Sequence, residues 1–332
     1  MKFNRLVLLA TLGLFASFAH AAGPKIAIVF DKGGKDDKSF NTSAYQGAMD
    51  AKAKLGAEIK YVESSDNNSF EPLLKAFAKK DFDLIVAIGV AQADAVKKVA
   101  PQFPNKKFLI IDTEVTGPNI NSSLFQEHEG SYLVGAMAAM ASKSGVVGFI
   151  GGMDIPLIRR FQQGYEAGVK KINPKAKVIV NYIGVTGDAW HNPPKAKELA
   201  LSQIASKADV IYHAAGASGA GLFDAVEEKS KGDKKVLAIG VDSNQNWVKP
   251  GLVLTSMLKR VDQAVFVAAE SVMKGEFKPG VSRFGLKNLG IDVALDSHNQ
   301  NLMTPEMRAK LTELKADIIA GKIKVPDYYE KK

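Results

Sequence analysis

Short, continuous apolar runs alternate along this chain with stretches of helix length and helical periodicity, and that alternation limits the fold more than any other feature. KIAIVF is followed by SFNTSAYQGAMDAKAKLG, which ends at the helix-stopping Gly56. EIKYVE is followed by FEPLLKAFAKK, LIVAIG by ADAVKKVAPQF, and then comes FLIID. A strand buried on both faces reads as an unbroken apolar run, whereas a half-buried one alternates with polar residues. These runs therefore predict a parallel sheet with helices on both faces, built from βαβ units. Pro101 is expected to break the third helix.

The pattern then starts again. YLVGAMAAMAS predicts a helix that carries the chain into a second series, made of VVGFIG, KVIVNYIG, DVIYHAAG, VLAIGVD and VLTSML. The helix VDQAVFVAAESVMKG follows. Residues Phe284 to Asp296 are expected to be extended, and TPEMRAKLTELKADIIAGK closes the chain as a helix. Thr304 is its expected cap, Pro305 its first residue and Gly321 its end. The prediction is an α/β protein of two similar lobes, each a doubly wound parallel sheet. A chain of 332 residues is long enough for two such units.

The first residues have a different character. Lys2 and Arg5 precede LVLLATLGLFASF, and Ala19-His20-Ala21 supplies small residues for a cleavage site after Ala21. Residues 1–21 are therefore expected to be an export signal, and the mature chain periplasmic. There is no cysteine, so the fold is expected to do without disulfides and without a lipid on an N-terminal cysteine, hence without a direct membrane anchor. The formal charge is +9, of which Lys2 and Arg5 contribute two, and the remaining lysines are scattered. That distribution describes a solvated surface and argues against nucleic acid as a partner.

Ligands of open α/β sheets bind at the carboxyl ends of the strands. Those ends carry Asp31, Gly89, Asp112, Gly184, Gly216, Asp242 and Lys259. Carboxylates, glycines and a lysine from both lobes suit a polar ligand held between them. In FDKGGKDDKSFN, Asp36, Asp37 and Ser39 read equally well as a helix start, with Ser39 or Asp37 as cap. Phe40 and Asn41 stand at the mouth, where a ring can stack and an amide can recognise an edge. Trp190, in a Gly/Pro-rich turn before a helix, is either a lid over the core or a second stacking plate. Two aromatic plates from opposite lobes fit a planar heterocycle, each stack being worth roughly 1–3 kcal/mol. Asp242 with Lys259 reads as a clamp for vicinal hydroxyls, or else as a helix cap and a surface lysine. DSNQN, from Asp242, begins like a calcium loop, but Trp247 stands where glycine is required and Val253 where glutamate is, which excludes that metal. AAGASGAG matches neither a phosphate loop nor a nucleophile elbow. No histidine spacing suits a metal, and no nucleophile–base pair is legible. Neither cofactor nor catalysis is expected.

Taken in order, DDKSFN, AIGVAQADAVKKVAPQFPNKKFLIID, GYEAGVKKINPKAKV, HAAGASGAGLFDAV, GVDSNQ and TSMLKRVDQAV resemble the basic membrane protein family of substrate-binding proteins. Its best-known members bind purine nucleosides for ABC importers. The likeness runs from about Lys25 to Lys274. It implies a type I periplasmic-binding fold whose lobes are joined by a three-segment hinge. Lobe 1 would comprise residues 22–126 plus 260–284, and lobe 2 residues 127–259 plus 285–332. It implies a nucleoside between the lobes and an ABC permease in the inner membrane as partner. Asp31 and Asn41 would help hold the ligand, Phe40 would stack, Asp112 would meet the base, and Gly216, Asp242 and Lys259 would grip the ribose. Relatives commonly carry Phe where this chain has Trp190, and the larger ring would widen that plate. Many relatives are lipoproteins, and some bind riboflavin. The same cleft would also serve a sensing receptor. A calcium-dependent nucleoside hydrolase, with its D-x-D-x-x-x-D-D pattern, fits poorly, because Gly33 replaces its second aspartate and the acidic pair falls early, at Asp36-Asp37.

Overall fold

The computed structural model describes residues 23–64, 66–232 and 235–330; the leader expected over 1–21 lies outside them. Among the described residues the chain forms twelve strands and nine α-helices. The first series is β1 (Lys25–Phe30), α1 (Phe40–Leu55), β2 (Glu58–Glu63), α2 (Phe70–Ala78), β3 (Leu84–Ile88), α3 (Ala93–Val99), β4 (Lys107–Ile111) and β5 (Ile120–Phe125). The second is α4 (Glu127–Ala141), β6 (Val146–Met153), α5 (Pro156–Ile172), β7 (Lys177–Gly184), α6 (Pro193–Ala205), β8 (Val210–Ala214), α7 (Ala220–Lys229), β9 (Leu237–Asp242) and β10 (Val253–Lys259). The chain ends with α8 (Val261–Met273), β11 (Gly280–Phe284), β12 (Ile291–Val293) and α9 (Pro305–Ile319).

These strands make two six-stranded sheets, ordered β11-β5-β4-β3-β1-β2 and β12-β10-β9-β8-β6-β7. The orders are the same when position is matched to position, so β4 corresponds to β9, and β5 to β10. All pairings are parallel except that of β10 with β12. The chain passes between the sheets three times: after β5, between β10 and β11, and between β11 and β12. This is the type I periplasmic-binding architecture, two doubly wound lobes on a three-segment hinge.

The strands hold because both their faces are covered. In β1, Ile26 and Ile28 pack into one apolar cluster while Ala27 and Val29 pack into another, as a period of two demands. The largest cluster runs from these inner faces through α1, α8 and α4 to Phe149 and Tyr212 of the second sheet. Separate clusters seal the outer faces of each sheet. Each fully buried Ile, Leu or Phe in them contributes about 1.5–3 kcal/mol of transfer free energy. No helix among the described residues is long and apolar enough to cross a membrane.

Two expectations need correction. The stretch Phe284 to Asp296 is not extended throughout: β11 ends at Phe284, Leu286–Asn288 forms a 3-10 turn, and only Ile291–Val293 is strand. Asn288 Oδ1 accepts the Gly285 N–H at 2.8 Å, a local bond that competes with a sheet ladder. The helix expected from Tyr132 starts earlier, at Glu127, because Glu127 and Glu129 lie in its first turn and favour its N-terminus.

Candidate functional site

The carboxyl ends of the two sheets face each other across a cleft with about 60 Å³ of space that water could occupy. Asp31, Phe40, Asn41, Asp112, Trp190, Gly216, Asp242 and Lys259 all line it, together with Lys32, Asp37, Gly89, Val90, Leu157, Ile158, Phe161, Ala214, Ala215 and Val241. The lobes touch around its rim. Lys32 Nζ lies 2.7 Å from Asp188 Oδ1, Ser243 Oγ donates to the Ser39 carbonyl at 2.7 Å, and Gln245 Nε2 donates to the Lys38 carbonyl at 3.0 Å.

The loop after β1 is shaped from within. The Asp37 carboxylate accepts the N–H groups of Ser39, Asn41 and Thr42 at 2.8–2.9 Å, so Asp37, rather than Ser39, supplies the cap of α1. Ser39 Oγ instead reaches across to Asp242 Oδ2 at 2.5 Å. Asp36 points to solvent and pairs with Lys35. Asn41 is buried, and its amide is already engaged: Oδ1 accepts from the Asp31 N–H at 3.2 Å, and Nδ2 donates to the Asp31 and Lys32 carbonyls at 3.4 Å. Its first task is therefore to hold the loop's shape.

Asp242 ends β9 and Asp112 directly follows the matching strand β4, and both have left-handed backbones, with φ of 64° and 74°. Asp tolerates this conformation better than most side chains. Each lobe thus turns one carboxylate into the cleft at the same topological position. Lys259, only 1% exposed, extends from β10 between them; its Nζ lies 2.6 Å from Asp112 Oδ2 and 3.0 Å from Glu127 Oε1. The reading of Lys259 as a surface residue is thereby excluded. The rings of Phe40, Phe125 and Phe161 surround its ammonium at 5.1–5.5 Å. The other oxygen of Asp112, Oδ1, is buried without a hydrogen-bond partner among the described residues, although it lies in a wall of the cavity.

Charge in this cleft is expensive. Burial pushes Asp242 up to about 7, against the pull of Lys259 and Ser39, and Asp31 up to about 6, against the Lys32 N–H. Burial raises Asp112 as well, with Lys259 opposing it. For Lys259, burial works against the charged form, but the carboxylates of Asp112, Glu127 and Asp242 outweigh it and hold the ammonium above its usual range. Donors from a ligand would relieve these carboxylates.

Trp190 ends a 3-10 turn, Gly187–Trp190, that follows β7. It packs partly on the core and also lines the cavity, so the lid and plate readings are not exclusive. Its six-membered ring sits over Gly152 in β6, where an added Cβ would lie 2.2 Å from Cζ3 and 2.5 Å from Cε3. The greater width of Trp over Phe is thus seated in a notch that only glycine leaves open. Gly216 has a left-handed backbone, with φ of 56°, beside the Trp190 carbonyl. Gly152→Ala is expected to displace the indole, change its fluorescence and weaken ligand capture about tenfold, one hydrogen-bond- or stacking-sized loss. Adding Trp190→Phe should recover much of the affinity. Unchanged fluorescence and affinity in the single variant would show that the notch does not seat the ring.

Leu157, Ile158 and Phe161 of α5 form an apolar wall that the strand-end argument does not predict. The signal was present, since apolar residues at 157, 158, 161, 165 and 169 follow helical spacing behind Pro156.

Residues 25–328 match the family model of PnrA-like ABC transporter substrate-binding proteins, the Bmp family. The chain belongs to this family. A Bmp relative from Lactococcus lactis subsp. cremoris, called ABC transporter nucleoside-binding protein BmpA, is 34% identical over 91% of this chain and 89% of its own. An uncharacterized lipoprotein of Pyrococcus furiosus is 38% identical over 80% of this chain and 69% of its own. The crystal structure of an ABC transporter solute-binding protein from Aeropyrum pernix K1 superposes with a TM-score of 0.83, at 29% identity, covering 91% of this chain and 94% of that one. As a Bmp protein the chain is an ABC-transporter solute-binding protein.

Proposed function

We propose that this Bmp protein captures a nucleoside, of the purine type, between its lobes and hands it to an ABC permease in the inner membrane. One observation carries the reading: a single cavity has an aromatic ring from each lobe, Phe40 and Trp190, and a buried Asp112–Lys259–Asp242 cluster. A flat base suits the rings, its edge suits an acceptor such as the unpartnered Asp112 Oδ1, and ribose hydroxyls suit the Asp242 carboxylate. The nucleoside-binding name of the Lactococcus relative supports the same choice. The protein works in the periplasm and returns its ligand chemically unchanged. The lobes of the proposed division, 22–126 plus 260–284 against 127–259 plus 285–332, rotate about the three passages to admit and release it.

A thermal-shift screen tests this. Inosine, guanosine or adenosine at about a hundred times its dissociation constant should stabilise the protein by about 2.7 kcal/mol. Free bases and ribose alone should do less. A shift with riboflavin but with no nucleoside would assign another heterocycle, and release of free base from inosine with calcium would make the protein a hydrolase.

A further inference from the structure

A row of buried charges leads from the cavity to the last residues of the chain. Lys259 holds Asp112 on one side and Glu127 Oε1 on the other. The second oxygen of Glu127 accepts from Arg160 Nη1 at 2.9 Å. Arg160, from α5, then forks onto Asp327, Nε to Oδ1 at 2.8 Å and Nη2 to Oδ2 at 2.6 Å. It also donates to the Phe125 carbonyl and, at 2.5 Å, to Gln126 Oε1. Arg160 is 5% exposed and Glu127 1%.

Residues Phe125 to Glu127 are the first passage between the sheets, and Lys259 stands at the start of the second. One guanidinium of lobe 2 thus grips the first passage at three points. A carboxylate near the chain's end, clear of the cavity, orients that guanidinium from behind. A buried Arg needs acceptors for all its donors, and in a chain of buried charges each member is aimed by the next. If Asp327 loses its charge, Arg160 draws more heavily on Glu127, and Glu127 has less hold on Lys259.

We propose that Asp327 and Arg160 are positioning residues for ligand capture, setting the Lys259 ammonium and the first hinge passage from outside the cleft. The effect on affinity rests on the nucleoside reading; the effect on Lys259 does not.

The test compares Asp327→Asn with Asp327→Glu, which keeps the charge, and with Asp317→Asn, which loses a pair to the exposed Lys322 in the same terminal region. A chain ending at Val325 serves as a second variant. Two quantities are read: the dissociation constant for inosine, by calorimetry, and the side-chain ammonium resonance of Lys259 in the ligand-free, lysine-labelled protein, assigned by its loss in Lys259→Met. Asp327→Asn and the shortened chain should bind inosine about tenfold more weakly, the size of a lost charged hydrogen bond, and should shift the Lys259 signal. Asp327→Glu should recover part of both, and Asp317→Asn should change neither. A lower melting temperature for Asp327→Asn with wild-type affinity and an unmoved Lys259 signal would overturn the proposal and leave the pair a stabilising role alone. If the wild type binds none of the nucleosides, the proposed ligand falls, and the Lys259 signal still decides the positioning role.

Discussion

Replacing Lys259 with Met is expected to destabilise the empty protein by about 3–5 kcal/mol at neutral pH, the usual cost of breaking a buried ion pair from one side. Met fills the aliphatic volume among Phe40, Phe125 and Phe161 but leaves Asp112 without a counter-charge. Glu127 keeps Arg160, so the loss falls on Asp112. That carboxyl, already pushed up by burial and held back by Lys259, moves further up once the ammonium is gone, and takes a proton. The folded variant then holds a proton that the unfolded chain has released, so its stability falls as pH rises through the neutral range. Denaturant unfolding at pH 5 and at pH 8 should therefore show a smaller deficit against wild type at pH 5. The double variant Lys259→Met, Asp112→Asn removes the stranded charge and should regain much of the stability without regaining nucleoside capture. A single variant with the wild-type midpoint at both pH values would mean that the 2.6 Å pair contributes nothing to the fold.

The difference between that cluster and its surroundings shows what the sequence makes visible. Strands such as β1, β3 and β8 were legible because sheet and helices bury them on both faces, leaving nearly unbroken apolar runs, interrupted in β8 only by His213 and in β1 only by Lys25 at its start. INSSLF, which forms β5, was not legible. Ser122 is satisfied by Val115, and Asn121 by Lys278 and Ser282, so a strand beside the hinge carries polar residues that read as loop. GVSRF, which forms β11, is an exposed edge strand with a weak apolar signal. In the site, strand-end residues could be named because parallel topology fixes where strand ends go. Glu127, Arg160 and Asp327 could not. Their importance lies in pairings 33 and 167 residues apart, which no local spacing encodes. The seating of Trp190 on Gly152 is equally non-local: the sequence offers a glycine in a strand, and only the packing shows which ring needs it.

Asp242→Asn should separate the cost of the cleft from its use. With its carboxyl raised to about 7 chiefly by burial, Asp242 remains protonated in the empty folded protein at pH values where the unfolded chain has lost that proton. A raised carboxyl contributes stability that is fully present below its unfolded value, near 3.9, and is lost as pH rises through the folded value, near 7. The difference of about three units corresponds to about 4 kcal/mol of stability lost by pH 8. Asp31, raised to about 6, adds a smaller loss over a lower window. The empty Asn variant should therefore gain stability over wild type at pH 8, and the gain should vanish towards pH 4. Ligand binding should move the opposite way. Hydroxyl donors favour the ionised carboxylate, so nucleoside uptake near pH 7 should release a proton, and wild-type affinity should rise with pH through that region. Asn cannot ionise, and its weaker acceptor should lower affinity by about 1.5–3 kcal/mol, or roughly ten- to a hundredfold, with most of the pH dependence gone. Calorimetry in two buffers of different ionisation enthalpy counts the released protons directly. Equal affinity and equal proton release in wild type and Asp242→Asn would remove Asp242 from the ribose contact and leave its buried charge serving Ser39 and the contact between the lobes.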